Sequence, residues 1–448
     1  MVAHKELDLL ESAQSTTVAG TNQSTEDLQS EELRAMSHDA IQGTDRRRFL
    51  QTGALATAAV VATDTSREAV GASTAPAALP RRKLGKTGVD VTILDQGTGK
   101  GSDVDRLLRL GFARGVRFFD TSETYHSEPA FKKWFAQSPE VRKQIFLVSK
   151  DTPRTPDELP GMVDKRIAAL GTDYVDLIFI HSFGDTHSLD EAIRYVKSKE
   201  LKQAVETVKK SGKARFVGIS THHKDRAQLI RAAAEGGIVD AIMVMYRPWL
   251  DKDSPLNKAL DFAHEKGIGL ISMKHIAGAF RGDRSQGSLL DEVVKRVPTL
   301  KERNLSPFQG LLHATWSDER LSAACISCNN TDHLRENIDA ALRFDQPLKT
   351  SEIEQLRDAV LAHNPMMCAD CDGRCSLAAG TSAALGDLTR FLTYHEHHGD
   401  RSEARRQYAA LSPEARDWSN ADLGAARAAC PSCLDFARLL PEVERRLA

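Results

Sequence analysis

The chain has 448 residues, a length that exceeds what one hydrophobic core usually organises, so we expect a large domain with additional segments. Its 60 basic and 62 acidic side chains give a formal charge of −2, which disfavours a nucleic-acid partner and a polybasic membrane surface. The mean hydropathy of −0.37 argues against a polytopic membrane protein, and we expect no stable membrane span in the mature body.

The first 77 residues read as a targeting region. Residues 1–45 are polar, acidic and rich in Ser, Thr and Gln, so we expect them to be disordered. Residues 46–77 resemble a twin-arginine signal peptide, with RRRFL at 46–50, an Ala-rich run and a small-residue cleavage site at 75–77. An ordinary basic cluster before an Ala-rich helix is the alternative. The signal predicts export by the twin-arginine machinery and a periplasmic location in a bacterium.

Residues 81–345 alternate β-branched or aromatic runs with amphipathic stretches, which predicts a parallel sheet with crossover helices. The predicted strands cover residues 91–94, 116–120, 145–150, 175–181, 216–220, 241–245, 269–273 and 324–327. The predicted helices include 104–113, 156–170, 189–211, 224–234, 254–266 and 333–342. Eight strands in a segment of this size match an α/β fold of the (β/α)8 TIM barrel type. A doubly wound sheet is the alternative, but the glycines at 97–101 lack the spacing of a dinucleotide-binding fingerprint.

Several polar side chains lie where predicted strands end. Asp120, Lys150 and His181 each end a predicted strand, and Tyr125 follows in the loop after Asp120. Barrel enzymes build their active sites at the carboxyl ends of the strands, so these four are the candidate catalytic residues. Each alone has a plain structural interpretation, as a helix cap, a surface charge, a rim residue or a packed aromatic. Their joint placement favours a single site.

These residues and their neighbours resemble the aldo-keto reductase superfamily. The segments FFDTSETY at 118–125, VSK at 148–150 and IHS at 180–182 carry the four residues. LGKTGV at 84–89, GKARFVGIS at 212–220 and LREN at 334–337 are similar to further segments of the family. The resemblance implies an NAD(P)H-dependent oxidoreductase that reduces a small-molecule aldehyde or ketone to an alcohol.

The chemistry of carbonyl reduction explains why these residue types belong together. The cofactor delivers a hydride to carbon, and Tyr125 is the expected donor of the proton to oxygen. A free phenol has a pKa of about 10, which the ammonium of Lys150 would lower toward the working range. Asp120 would keep that lysine charged and oriented. His181 would form a hydrogen bond with the carbonyl oxygen and fix its direction.

The resemblance also implies a set of cofactor-binding residues, namely Ser220, Tyr246, Lys274, Gly278, Glu336 and Asn337. Ser220 is expected at the nicotinamide carboxamide, and Tyr246 at the nicotinamide ring, with a core aromatic as the alternative for Tyr246. Lys274 and the backbone of Gly278 are expected at the pyrophosphate. Residues 327–333 replace the basic side chains that often bind the 2′-phosphate, so NADPH is expected from the resemblance, with NADH as the alternative.

Residues 346–448 form a predicted helical extension that contains five of the seven cysteines, Cys368, Cys371, Cys375, Cys430 and Cys433. Such spacing is typical of metal ligands in a protein that folds in a reducing cytoplasm. The segment resembles the ferredoxin-like extension of some aldo-keto reductases, with several of its cysteines replaced. The resemblance implies one [4Fe–4S] cluster, held by the first three cysteines and either of the last two. Zn²⁺, a helical cap with free thiols, and disulfides formed after export are the alternatives.

Two functions are consistent with this sequence. In the first, the protein is an exported carbonyl reductase whose nicotinamide cofactor is loaded before export. In the second, it is a non-catalytic electron-transfer protein that uses the barrel as a scaffold and a metal cluster to serve a redox partner. The four candidate catalytic residues favour the first function, whereas the substituted cofactor loops and the export signal favour the second.

Overall fold

The computed structural model describes residues 78–99, 103–184, 187–223, 225–249, 252–275, 287–363, 368, 373–398, 401–430 and 432–448. The predicted disordered region 1–45, the predicted signal peptide 46–77, Gly278 and Cys371 lie outside the described residues. Among the helices that are described, none combines the length and the hydrophobicity needed to cross a membrane.

Within the described residues, eight parallel strands form a closed barrel, preceded by an antiparallel hairpin of β1 (Arg81–Lys83) and β2 (Asp90–Thr92). The barrel strands are β3 (Leu94–Gly97), β4 (Phe118–Asp120), β5 (Phe146–Asp151), β6 (Val175–Ile180), β7 (Ala214–Thr221), β8 (Ala241–Met245), β9 (Gly269–Met273) and β10 (Leu321–Ser327). Each strand pairs with its neighbour in chain order, and β10 closes the ring against β3. The predicted (β/α)8 barrel is confirmed.

Helices surround the barrel. They are α1 (Val104–Ala113), α2 (Glu128–Gln137), α3 (Leu159–Leu170), α4 (Leu189–Val196), α5 (Lys199–Lys210), α6 (Arg226–Gly236), α7 (Pro255–Glu265), α8 (Gly287–Arg296), α9 (Pro298–Glu302), α10 (Pro307–Trp316), α11 (Thr331–Leu342) and α12 (Thr350–His363).

Each barrel strand contributes side chains to two hydrophobic cores, one inside the barrel and one between the barrel and the helices, because successive side chains of a strand point to opposite faces. Phe118 packs edge-to-face on Phe146 inside the barrel, with ring centroids 5.1 Å apart. Its neighbour Phe119 packs on Trp134 of α2 outside the barrel.

Two predicted elements differ from the structure. The first barrel strand is Leu94–Gly97 rather than residues 91–94, because Asp90–Thr92 pairs with the hairpin strand β1. Asp and Gly are poor strand formers, so residues 94–97 carry no strand pattern that could be recognised. The predicted helix 189–211 is interrupted between α4 and α5. Ser198 lies at the break, and its hydroxyl accepts the Leu201 N–H and thereby caps the start of α5.

The C-terminal extension is helical, as predicted, and has a hydrophobic core of its own. It contains α13 (Arg374–Ala378), α14 (Leu385–Thr393), α15 (Arg401–Ala410), α16 (Pro413–Arg416), α17 (Leu423–Ala429) and α18 (Phe436–Leu447). A π-helical turn, Tyr394–His398, follows α14 directly. The core includes Leu388, Phe391, Phe436 and Leu440. By contrast α12 packs with α8 and α10 on the barrel, through Leu356 and Val360.

The close packing of the barrel strands can be tested at a glycine in β7. A Cβ on Gly218 in β7 would lie 2.4 Å from the Ala241 carbonyl oxygen and 2.5 Å from the Phe179 ring. We expect Gly218→Ala to lower the free energy of unfolding by about 1–3 kcal/mol, because both neighbours are held by the barrel. In α3, a Cβ on Gly161 would meet no atom within 4 Å. Gly161→Ala is therefore expected to raise the free energy of unfolding by about 0.5–1 kcal/mol, measured by urea unfolding. Equal effects of the two changes would contradict the packing.

Candidate functional site

The four candidate catalytic residues lie at the carboxyl ends of three adjacent strands. Asp120 ends β4, Lys150 lies near the end of β5, and His181 directly follows β6. Tyr125 ends a 3-10 helix, Glu123–Tyr125, shortly after β4. Because the strands are parallel and adjacent, their carboxyl ends open at the same edge of the barrel. We call this edge the catalytic mouth.

Lys150 and Asp120 form a buried ion pair. The Lys150 ammonium donates to Asp120 Oδ1, and also to the Thr121 carbonyl oxygen at 3.2 Å. Both charged side chains are only 1% exposed. Burial alone would lower the pKa of Lys150, but the charges of Asp120 and Tyr125 outweigh it and raise the pKa above its ordinary value. The lysine therefore remains a cation at any physiological pH.

Tyr125 lies close to both this cation and the imidazole of His181. The Lys150 Nζ is 5.1 Å from the centroid of the Tyr125 ring. The Tyr125 and His181 rings meet edge-to-face, with centroids 6.0 Å apart and an interplanar angle of 87°. Tyr125 is half-buried. A phenol, an ammonium, a carboxylate and an imidazole are thus brought together at the catalytic mouth.

His181 is held in its uncharged form. Burial, with smaller contributions from the positive charges of Lys150 and Lys274, lowers the pKa of His181 to about 3. Its Nδ1 lies 3.1 Å from the Ser122 hydroxyl oxygen. When Ser122 donates to Nδ1, the ring proton lies on Nε2. A neutral imidazole in that tautomer can donate a hydrogen bond to a ligand oxygen.

Two glycines allow the first barrel strand to pack closely against its neighbours. A Cβ on Gly97 would lie 2.9 Å from the Ser327 hydroxyl oxygen and 3.2 Å from Cys325 Sγ. A Cβ on Gly99 would lie 3.4 Å from Tyr125 Cζ. The N–H of Gly99 donates to Ser327 Oγ at 3.2 Å, which connects this loop to the end of β10. A side chain at Gly97 would therefore displace the residues beside Tyr125.

Backbone strain is concentrated at the same mouth. His126, Ser182 and Lys274 have φ angles of 55°, 50° and 58°, a left-handed conformation that side chains other than glycine rarely adopt. His126 follows Tyr125, and Ser182 follows His181. Such outliers cluster at ligand sites, where the surrounding structure maintains them. Lys274 directly follows β9 and so lies at the same edge of the barrel.

The predicted cofactor residues Ser220 and Tyr246 occupy different environments. Ser220 is fully buried near the end of β7, and its hydroxyl accepts the Ser182 N–H at 3.4 Å. It thus supports the loop beside His181. The Tyr246 hydroxyl donates to Asp318 Oδ2 at 2.7 Å, and the ring packs in the core outside the barrel. This placement agrees with a core aromatic, the alternative to ring stacking.

The two predicted cofactor residues on α11 are engaged within the protein. Glu336 accepts a hydrogen bond from the Ser306 hydroxyl at 2.5 Å. Asn337 is buried and donates to Cys328 Sγ at 3.2 Å. Both side chains therefore tie α11 to neighbouring segments. Gly278, the remaining candidate, lies outside the described residues.

Asp95 and Cys325 also lie at the catalytic mouth, although the sequence pattern did not single them out. The Asp95 carboxylate, the Asp120 carboxylate and Cys325 Sγ lie within 4.8 Å of one another. Burial, together with the charge of Asp120, raises the pKa of Asp95 well above its usual range. Burial also raises the pKa of Asp120, against the opposing charge of Lys150. Because one Asp and one Cys on separate strands form no motif, only the folded barrel reveals them.

The described cysteines of the extension lie in and around its hydrophobic core. Cys375 and Cys430 are buried in this core, Cys368 is half-buried and Cys433 is exposed. Among the described residues, no three cysteine sulfurs lie within 4.8 Å of one another. A tetrahedral Zn²⁺ site needs sulfurs closer together than this, so the described cysteines do not form one by themselves. A [4Fe–4S] cluster, or a metal centre that includes Cys371, stays a prediction.

The extension packs directly onto the catalytic mouth. The Tyr394 ring lies over the Lys274 ammonium, with Nζ 4.0 Å from the ring centroid, and its hydroxyl is 3.8 Å from Met245 Sδ. Arg247 donates to the Lys274 carbonyl oxygen, and at 3.4 Å to the Cys368 carbonyl oxygen. A void of about 10 Å³ remains between these side chains. The sequence contains no local signal for this contact, which joins distant segments.

Comparisons with known proteins agree with the fold and identify the family. The sequence profile described as the aldo/keto reductase family matches residues 96–360, more than half of the chain. L-galactose dehydrogenase of Arabidopsis thaliana is 24% identical over 310 residues, covering 62% of this chain and 94% of that protein. NADPH-dependent alpha-keto amide reductase of Saccharomyces cerevisiae is 27% identical over 271 residues, covering 60% and 83%. The holo structure of an aldo-keto reductase from Bacillus halodurans shares the fold, with a TM-score of 0.51, 19% identity and coverage of 63% and 96%.

The state of His181 can be tested by its titration. With a pKa of about 3, the imidazole should stay neutral from pH 9 down to pH 5 and take up a proton only in strong acid. We expect the His181 Cε1–H signal in the NMR spectrum to remain constant over that range, with the signal identified by its loss in His181→Gln. Lys150→Met removes a positive charge and should move the midpoint upward. A wild-type midpoint near 6.5 would contradict the assigned environment.

Proposed function

This chain belongs to the aldo/keto reductase family of oxidoreductases, and we propose that it reduces the carbonyl group of a small molecule to an alcohol with NADPH or NADH. The observation that carries the proposal is the buried Lys150–Asp120 pair beside Tyr125, with the Lys150 Nζ 5.1 Å from the phenol ring. Burying a charged pair is costly, so its presence beside a half-buried phenol favours a catalytic use.

Tyr125 is the proposed proton donor. The bound nicotinamide would supply a hydride to the carbonyl carbon. As negative charge develops on the carbonyl oxygen, the Tyr125 hydroxyl gives it a proton, and the Lys150 ammonium stabilises the phenolate that remains. Asp120 keeps the ammonium in place. The neutral His181 donates a hydrogen bond to the same oxygen and so directs the carbonyl toward Tyr125.

We expect the nicotinamide ring to bind beside Tyr125, because the carbonyl group that receives the hydride must also reach the phenol hydroxyl. Two relatives are named for such cofactors, an NADPH-dependent alpha-keto amide reductase and an NAD(P)H-dependent D-xylose reductase. Lys274, the residue expected at the pyrophosphate, lies under the Tyr394 ring.

Export remains part of the proposal. The sequence RRRFL at 46–50 supports recognition by the twin-arginine machinery and a periplasmic location. That route transports folded proteins, so a nicotinamide cofactor could be loaded in the cytoplasm and carried across. The alternative function, electron transfer to a redox partner, needs a metal centre. The four residues at the catalytic mouth and the match to the aldo/keto reductase family favour carbonyl reduction over that alternative.

The proton donor can be tested by a matched pair of variants. We expect Tyr125→Phe to lower kcat/KM for methylglyoxal by about 10²- to 10⁴-fold, the usual contribution of a general acid. The affinity for NADPH, measured by fluorescence quenching, should not change. Tyr174→Phe makes the same chemical change at a ring that packs on Arg142, away from the mouth, and should leave the rate unchanged. Full activity of Tyr125→Phe would exclude the proposed mechanism.

A further inference from the structure

Asp95 lies inside the barrel, beside the catalytic residues. In β3 it is in register with Phe118 of β4 on one side and with Cys325 of β10 on the other. Phe118 belongs to the core inside the barrel, and residues in register point to the same face of a sheet, so Asp95 points inward. Asp120 lies two residues beyond Phe118 and therefore on the same inner face. A carboxyl oxygen of each aspartate and Cys325 Sγ lie within 4.8 Å of one another.

Asp95 has little that would stabilise a negative charge of its own. The residue is 0% exposed, and neither of its carboxyl oxygens has an N–H or O–H donor among the described residues. The thiol of Cys325 beside it is only a weak donor. Asp120 differs, because the Lys150 ammonium donates to its Oδ1, although its Oδ2 also lacks an N–H or O–H donor within the described chain. A buried carboxylate needs hydrogen bonds or a counter-charge, and Asp120 already takes the nearest cation.

The charges of this cluster do not balance if both acids are ionised. Asp95 and Asp120 would carry two negative charges, whereas the buried Lys150 supplies one positive charge. The Cys325 thiol stays neutral, because burial raises its pKa well above the usual range. Burial and the charge of Asp120 raise the pKa of Asp95, and burial raises the pKa of Asp120 against the charge of Lys150. One proton bound to the two carboxyl groups together restores neutrality.

We infer that Asp95 and Asp120 bind one proton between them, and that Asp95 is thereby a positioning residue for the Lys150 ammonium. The second part rests on the proposed function, because it concerns the cation that acts on Tyr125. A pair with one proton has a single negative charge, which matches the charge of Lys150. Two ionised carboxylates would leave one negative charge in excess, and this charge would oppose the Tyr125 phenolate that forms in the reaction.

The shared proton makes the two aspartates partly interchangeable as counter-ions of Lys150. Without Asp120, the Asp95 carboxyl group would ionise, because Lys150 would otherwise be a buried charge without a partner. Without Asp95, the Asp120 carboxylate keeps its hydrogen bond from the ammonium and needs no proton. Only the loss of both aspartates leaves the lysine unbalanced. The arrangement therefore protects the charge of Lys150 against the loss of either acid.

The proton on the pair can be tested by infrared spectroscopy without any substrate. An un-ionised carboxyl group has a C=O stretching band that an ionised carboxylate lacks. We expect Asp95→Asn and Asp120→Asn each to lose one such band relative to the wild-type protein at pH 7, because the carboxyl group that remains ionises against Lys150. Asp173→Asn removes an exposed carboxyl group in the loop before β6 and should remove no such band.

The infrared spectra separate a shared proton from two simpler arrangements. A band that persists in Asp120→Asn would show that Asp95 holds a proton regardless of its neighbour, and would overturn the inference. Wild-type protein without this band would have two ionised carboxylates, and would overturn it as well. If an amide at either position prevents folding, Asp95→Ser and Asp120→Ser provide smaller neutral replacements for the same comparison.

Carbonyl reduction tests the positioning role. We expect the double variant with Asp95→Asn and Asp120→Asn to lower kcat/KM for methylglyoxal about 10- to 100-fold more than the product of the two single effects, because only it leaves Lys150 without a counter-ion. A double effect equal to that product would overturn the role. If the double variant does not fold, adding Lys150→Met should restore folding, and failure to do so would overturn the role. If the wild-type protein reduces no carbonyl compound, the proposed function fails, while the infrared spectra still decide on the shared proton.

Discussion

The need to neutralise a lysine ammonium inside a closed sheet constrains how the barrel strands pair with one another. The β4 and β5 strands pair so that Phe118 lies opposite Phe146 and Asp120 lies opposite Val148. Lys150 is on the same face as Val148, one alternation further along, and so reaches Asp120 diagonally. The aromatic pair fills the barrel below, and the ion pair lies at its edge. A shift of β5 by one residue would turn Lys150 to the outer face of the barrel, away from the Asp120 carboxylate that neutralises it.

The fold and the four catalytic candidates could be predicted because their signals are local. Strands with long apolar runs were placed within a few residues, and Asp120, Lys150 and His181 were recognised because each ends such a run. The first strand, Leu94–Gly97, was misplaced because Asp and Gly interrupt its pattern. The environment of Tyr246 could be predicted from the strand pattern but not from the family resemblance. It continues the outward face of Val244, so strand alternation alone would have placed it in the outer core.

The contact between extension and mouth could not be predicted, for a different reason. The cysteines attract attention because metal ligands have fixed spacings, yet the contact is made by Tyr394 and Arg390, which belong to no motif. Contacts between segments that are more than 100 residues apart depend on the tertiary fold and leave no periodicity in the sequence. Asp95 illustrates the same point within the barrel. Its carboxyl group comes close to that of Asp120 only when the strands close into a ring.

The separate hydrophobic core of the extension has an evolutionary consequence. Leu388, Phe391 and Leu440 pack in a cluster that is separate from the layers of side chains inside the barrel. Apolar substitutions within this cluster could therefore accumulate in a lineage while the side chains around Tyr125 keep their packing.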